Sequence, residues 1–215
     1  MNDPLEPVNR QVFAFNIWLD DNAIKPVAIA YRRNVPEFFQ DRIRDFFENY
    51  KSPVTFANDV LQLEFGRAAE TATRFFINSV AGVGGLFDVA GQYGLKRHKE
   101  DFGQTLAVWG MPEGPYLMLP LLGPSNPRDV AGMVADSFAN PWSYLYPSSV
   151  WVNFTYVGDA IFWIDVRARN IENLDDVRKN SLDYYAAIRS LYRQYRQSEI
   201  LNGKTPSTPV PGDDE

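Results

Sequence analysis

Apolar positions recur mostly at helical spacing along the chain, and prolines mark where the runs begin, because proline fits a first helical turn but lacks the N–H that an interior needs. Helix starts are predicted at Pro26, Pro36, Pro53 and Pro127. From Pro36 to Lys51, Phe39, Ile43, Phe46 and Tyr50 repeat at helical spacing; Phe38 and Phe47 widen the stripe, and Asp41, Arg42, Arg44, Asp45 and Glu48 fill the other side. Ser52-Pro53 is expected to break that run and open a shorter helix to about Gln62. Gly66 to Val80 forms the next helix, with Ala69, Ala72, Phe76 and Val80 assigned to its inward face. Val8 to Leu19 is apolar nearly all round, so protein or lipid must cover most of it.

Glycines 82, 84, 85, 91 and 94 make the middle of the chain irregular, and Gly82, Gly84 and Gly85 are the candidate hinge or gate. Gly103 to Pro127 is dense in Gly and Pro around Tyr116 to Leu122, where Pro120 allows at best an edge strand or one arm of a hairpin. From Gly158 the pattern is long and helical, ending in Ser181 to Leu201 with Tyr184, Tyr185, Ile188, Leu191, Tyr192 and Tyr195 on one face. Arg189, Arg193 and Arg196 form a row on another face, expected to be solvated and able to meet anionic headgroups or an acidic partner. Residues 1–202 are expected to form a single helical domain, and 203–215, with three prolines and three terminal acids, a disordered tail.

Ser137 to Gly158 carries no charged side chain and is long enough to cross a bilayer core as a helix, but Pro141 and Pro147 interrupt it. What dominates the stretch is aromatic. Trp142, Tyr144, Tyr146 and Trp151, with Trp163 beyond, are residue types favoured at the headgroup level of a membrane. Together with Phe39 and Phe46 they are the candidate lipid-interface residues. The stretch admits two readings, a membrane-interface surface or a buried aromatic loop and helix pair.

The 215 residues include 27 acidic and 21 basic side chains, a formal charge of -6, which argues against a duplex nucleic-acid binder. With 14% aromatic and 22% charged residues the chain is too apolar to be disordered. Cysteine is absent and His98 is the one histidine, which excludes thiol nucleophiles, zinc-thiolate sites and multi-histidine metal sites; no metal or cofactor is expected. His98 lies in Lys96 to Asp101, a charge run that reads as a solvated loop, and no G-x-S-x-G elbow exists. Gly82-Val83-Gly84-Gly85 lacks the Lys-Ser or Lys-Thr of a phosphate cradle. Asp20-Asp21 and Asp175-Asp176 would point about 100 degrees apart on a helix, so shared acid–base work is not implied. What survives is a set of Phe-rich amphipathic helices, a charge-free aromatic stretch and glycine-rich loops, a combination suited to an apolar ligand.

Three blocks occur in order: Asp3-Pro4-Leu5-Glu6 with Asn9-Arg10; Arg74-Phe75-Phe76 with Asn78, through Gly84-Gly85 to Asp88-Val89-Ala90; and Phe102 to Leu106 with Gly110, Gly114-Pro115-Tyr116, Leu119-Pro120 and Arg128-Asp129. This order, over about residues 3 to 146, resembles the MlaA family, also called VacJ, outer-membrane lipoproteins of Gram-negative bacteria. The resemblance implies an all-α fold. Its short, Pro-punctuated amphipathic helices would form a ring within the periplasmic leaflet, with a Gly/Pro-rich hairpin-like insertion and long C-terminal helices. It also implies a non-enzymatic phospholipid channel that removes mislocalised phospholipids from the outer leaflet. These would pass to a periplasmic lipid-carrier protein, and trimeric porin would be a further partner. The family begins on an acylated cysteine behind a signal peptide; here Met1 stands just ahead of Asp3-Pro4 and the anchor cysteine is absent from the chain. The alternative is a soluble helical scaffold that docks a protein partner through its aromatic surface.

Overall fold

The computed structural model describes residues 3–145 and 148–203, without the side chains of 143, 145 and 148–156. Helix α1 (Glu6–Leu19), a π-helical step (Asp20–Ile24) and α2 (Lys25–Asn34) follow one another without a break. Pro26 has no N–H to donate, and in the step before it the Lys25 N–H reaches back to the Asp20 carbonyl, one residue further than in an α-helix. Pro36 then precedes α3 (Glu37–Leu61), and Pro127 opens α7 (Pro127–Ala139), where the Asn126 side chain accepts from the Asp129 N–H.

Pro53 starts nothing. α3 continues through it for 25 residues, contrary to the break expected at Ser52-Pro53. An interior proline costs about 3 kcal/mol. Packing of α3 along both α4 (Phe65–Val80) and α9 (Ser148–Arg169) outweighs that loss. At 25 residues α3 is also not the short helix expected, while α9, at 22, runs into the region where long helices were anticipated.

Short helices α5 (Val89–Gln92) and α6 (Phe102–Val108) come next. α6 lies at the start of the stretch dense in Gly and Pro; the Asp101 side chain caps it by accepting from the Gln104 N–H. It approaches α7 so closely that a Cβ on Gly132 would fall 2.3 Å from the Gly103 nitrogen. The antiparallel strands β1 (Leu117–Leu119) and β2 (Gly123–Ser125) form the anticipated hairpin, with Pro120 in its turn. Helices α8 (Trp142–Leu145), α9, α10 (Ile171–Asn180) and α11 (Tyr184–Ile200) complete an all-α fold apart from that hairpin.

Burial runs opposite to the expected direction. On α4 the buried positions are Ala68, Thr71, Arg74 and Asn78, whereas Ala69, Ala72, Phe76 and Val80, assigned inward by their apolarity, face outward. α3 likewise buries Gln40, Asp45, Asn49, Thr55, Asn58 and Asp59 with Phe47, and exposes Phe38, Phe39, Phe56 and Leu61. Among the described residues, buried polar and charged side chains outnumber buried apolar ones. A small apolar cluster of Tyr116, Met118 and Tyr185, flanked by Val12, Phe13 and Tyr192, holds the hairpin between α1 and α11. Among the described residues no helix is long and apolar enough to cross a membrane.

The arginine row of α11 is not solvated. Arg189 bonds Asp3 and Glu6, Arg193 meets Glu113 at 2.6 Å, and Arg196 bridges Asp101 at 2.6 Å and Asp129 at 2.8 Å. The N-terminal residues, the α6 cap and the α7 first turn all present carboxylates to that face, so the row clasps the fold. The acidic neighbours also diverge as helical geometry requires: Asp20 binds Arg167 at 2.8 Å and Asp21 binds Arg178 at 2.8 Å.

Candidate functional site

The polar faces of these helices converge on one space. α3, α4, the 97–101 segment, α6, α7, α9 and α11 line a cavity of about 760 Å³, a volume suited to a small molecule or one end of a larger one. Its wall contains Asp45, Glu48, Lys51, Arg74, Arg97, Lys99, Asp136 and Asp159, with Phe47, Phe162 and Trp163 as apolar elements. α9 comes close to α3 here because Gly158 leaves room for the Phe47 ring; a Cβ would lie 2.6 Å from it.

Polar groups taken out of water need partners, and a continuous network supplies them. Asp59, fully buried on α3, accepts from Thr71 Oγ1 at 2.7 Å and lies 3.0 Å from His98 Nε2. Thr105 Oγ1 donates to Asn58 at 2.7 Å, and Asn58 Nδ2 donates to Asp136 at 3.0 Å. Glu100 accepts from Gln62 at 2.8 Å and from Arg67 at 2.6 Å. Burial raises the Glu100 carboxyl above the ordinary glutamate range despite these bonds, and burial likewise raises Asp136. The charge run around His98 therefore belongs to the cavity wall rather than to a solvated loop. The reason is that Asp45 and Asp59, buried on α3, and Thr71 on α4 hydrogen-bond it inward.

His98 does not complete a nucleophilic relay. A relay needs the base between nucleophile and acid, on different ring nitrogens, whereas Thr71 and Asp59 both approach Nε2, at 3.1 and 3.0 Å. Thr71 already donates to Asp59. The cluster joins α3, α4 and the 97–101 segment.

Two lysines stand in the wall. Lys51 Nζ lies 3.8 Å from the Phe162 ring centroid and 3.8 Å from Asp159; Lys99 Nζ lies 5.5 Å from the same ring and 2.8 Å from Glu48. Enclosure by protein pushes the Lys51 ammonium below the ordinary lysine value, with Lys99 adding repulsion against the pull of Asp159 and Glu48.

The glycine-rich candidate gate adjoins this wall. Gly85, at φ +94°, touches Asn49 so closely that a Cβ would lie 2.6 Å from it, and a Cβ on Gly82 would meet the Phe87 and Asn78 carbonyls; Gly84, at φ +70°, has open space. Asp88 fastens the loop by accepting from Arg74 at 2.7 Å, Asn78 at 3.0 Å and Arg97 at 2.9 Å. Burial works against its charge, but these bonds prevail and hold its carboxyl down to about 2.

The candidate interface residues divide. Phe39, Tyr144 and Trp163 are exposed, and Trp163 also lines the cavity. Phe46 stacks on Tyr50, and Trp142 stacks on the same ring at 5.5 Å while its indole N–H donates to the Tyr50 carbonyl. Tyr146 and the Trp151 side chain lie outside the described residues. Sequence reasoning missed the wall residues Asp136, Lys51 and Phe162 and the buried Asp59 behind them. For Lys51 and Asp59 the available signal was the run of polar positions at helical spacing on α3; Asp136 on α7 and Phe162 on α9 carried no such signal.

The family profile described as MlaA lipoprotein matches residues 1–199. The chain belongs to the MlaA lipoprotein family. An uncharacterized protein of Rickettsia bellii is 38% identical over 97% of this chain and 81% of its own length. The Escherichia coli protein named intermembrane phospholipid transport system lipoprotein MlaA is 36% identical over 94% of this chain and 79% of its own. Its namesake in Haemophilus influenzae is 31% identical over 94% and 81%. A solved structure described as the "Structural basis for maintenance of bacterial outer membrane lipid asymmetry" superposes with a TM-score of 0.80 at 33% identity, covering 93% of this chain and all of that one. The chain shares the fold of that structure.

Proposed function

We propose that this chain is an outer-membrane component of intermembrane phospholipid transport and that its cavity is the lumen through which a phospholipid headgroup passes. The observation carrying this reading is the inversion of burial: polar faces of α3 and α4 turn into the cavity while Phe38, Phe39, Phe56 and Phe76 turn out. Outward apolar faces suit acyl chains, and a polar lumen lets a headgroup cross them without exposure to hydrocarbon. The names of the Escherichia coli and Haemophilus influenzae relatives support the same assignment.

In this reading residues 1–202 act as one unit in the periplasmic leaflet, anchored in the native lipoprotein by an acylated cysteine ahead of Asp3. Mislocalised phospholipid leaves the outer leaflet through the lumen for a periplasmic carrier, beside a trimeric porin. No bond of the lipid is broken, in keeping with a His98 held as a structural link. Phe39, Phe46, Trp142, Tyr144, Tyr146, Trp151 and Trp163 are proposed for the membrane interface, and Gly82, Gly84 and Gly85 for the gate. The test adds phospholipid vesicles to the purified chain while tryptophan emission is recorded. A blue shift together with co-flotation is expected; a monomer in plain buffer whose emission stays unshifted would overturn the assignment.

A further inference from the structure

We propose that Glu48, Lys51, Lys99 and Asp159, gathered around the Phe162 ring, form a station for a zwitterionic phospholipid headgroup, the lysines taking its phosphodiester and the carboxylates its ammonium. The proposal rests on the lumen reading above. Its basis is how one pair of these charges, Lys51 and Asp159, differs from the others in the wall, with the Lys99–Glu48 pair at 2.8 Å beside it. Asp45 is bound by Arg97 at 2.8 Å, Glu100 by Arg67 at 2.6 Å and Asp101 by Arg196 at 2.6 Å, so those pairs belong to the scaffold. Lys51 and Asp159, at 3.8 Å, are held more loosely than any of them. Both side chains keep access to the cavity, at 40% and 48% exposure.

Two ammonium groups over one buried ring repel each other, and a phosphodiester between them relieves the repulsion. The four side chains carry two positive and two negative charges. A headgroup with one phosphate and one ammonium exchanges into such a set without leaving a charge unbalanced. A headgroup with phosphate alone leaves an excess negative charge in an enclosed space, which is costly.

The experiment titrates the full chain with dihexanoyl lipids below their micelle concentration, comparing phosphatidylethanolamine, phosphatidylglycerol and diacylglycerol, with glycerophosphoethanolamine as the chain-free headgroup. The ethanolamine lipid is expected to bind about tenfold more tightly than the glycerol lipid. In the Lys51→Gln/Asp159→Asn double variant that ratio falls to about one while diacylglycerol binding and thermal midpoint are retained. The charge-reversed Lys51→Asp/Asp159→Lys variant keeps the preference, because it still offers a loosely held cation for the phosphodiester and a carboxylate for the ammonium, which the neutral double variant does not. A ratio near one in the unaltered chain, or one that survives the double substitution, overturns the station and leaves the lumen standing. Equal binding of glycerophosphoethanolamine assigns the site to a soluble headgroup and overturns the lipid assignment. Failure of every dihexanoyl lipid to bind overturns the lumen as well.

Discussion

Gly84 and Gly85 are adjacent, both adopt positive φ, and differ only in what surrounds them. Alanine at Gly84 meets open space, so its penalty is the left-handed backbone alone, about 1–2 kcal/mol. At Gly85 the same methyl would also lie 2.6 Å from the Asn49 side chain, whose amide donates to Ser79 at 3.0 Å. Gly85→Ala is therefore expected to lower the thermal midpoint well beyond Gly84→Ala. Equal midpoints would show that Asn49 moves aside freely. Gly84→Ala is then the clean probe of the proposed gate, since any change in lipid flux there is not confounded by a loosened wall.

Between elements, α11 clasps the N-terminal residues. The Asp3 carboxylate is nearly inaccessible at 2% exposure and receives Tyr185 Oη, Asn9 Nδ2 and Arg189. Burial pushes its carboxyl up, but the hydrogen bonds from Tyr185, Asn9 and Arg189 outweigh that and leave it below the ordinary value. A carboxyl lowered on folding stabilises the fold above its unfolded value, and that contribution is lost as pH falls through the folded one. Arg189→Met strands the buried carboxylate and is expected to cost about 3–5 kcal/mol at neutral pH. In acid the loss should shrink, because a protonated Asp3 no longer needs the cation. Denaturant melts of both proteins across the acid range test this; a pH-independent difference would mean that Arg189 contributes by packing alone. The sequence disclosed the existence of α11 and its tyrosine face, but not this tie. Asp3 and Arg189 are far apart in the chain, and three arginines in a row look like a wet surface until their partners are placed. Pro53 misled for a related reason, since a local rule about proline carries no knowledge of the two helices that hold α3 straight through it.

For the molecule as a whole, helical periodicity was legible while its direction was not. Spacing shows which residues share a face; it does not show whether that face meets water, protein or lipid. On α4 the amphipathic pattern was read correctly and then assigned inside out, and the same polar faces that seemed solvated became the cavity wall. The inversion makes a paired prediction that an ordinary water-soluble fold would reverse. Phe76 is 68% exposed, so Phe76→Ser should change stability in water by no more than about 0.5 kcal/mol. In a membrane it forfeits burial worth roughly 1.5–3 kcal/mol, and flotation with phospholipid vesicles should weaken by about tenfold or more. Two residues further along α4, Asn78→Leu removes one donor to Asp88, at 3.0 Å, and the acceptor for the Ala90 N–H at 2.8 Å, leaving that buried N–H without its partner and Asp88 with one bond fewer. That apolar gain should cost about 2 kcal/mol or more in the folded protein. A serine at Phe76 that is tolerated in water and damaging in lipid, beside a leucine at Asn78 that is damaging in both, would place hydrocarbon outside this helix and polar groups inside it. Vesicle affinity unchanged by Phe76→Ser would instead assign that face to a protein partner.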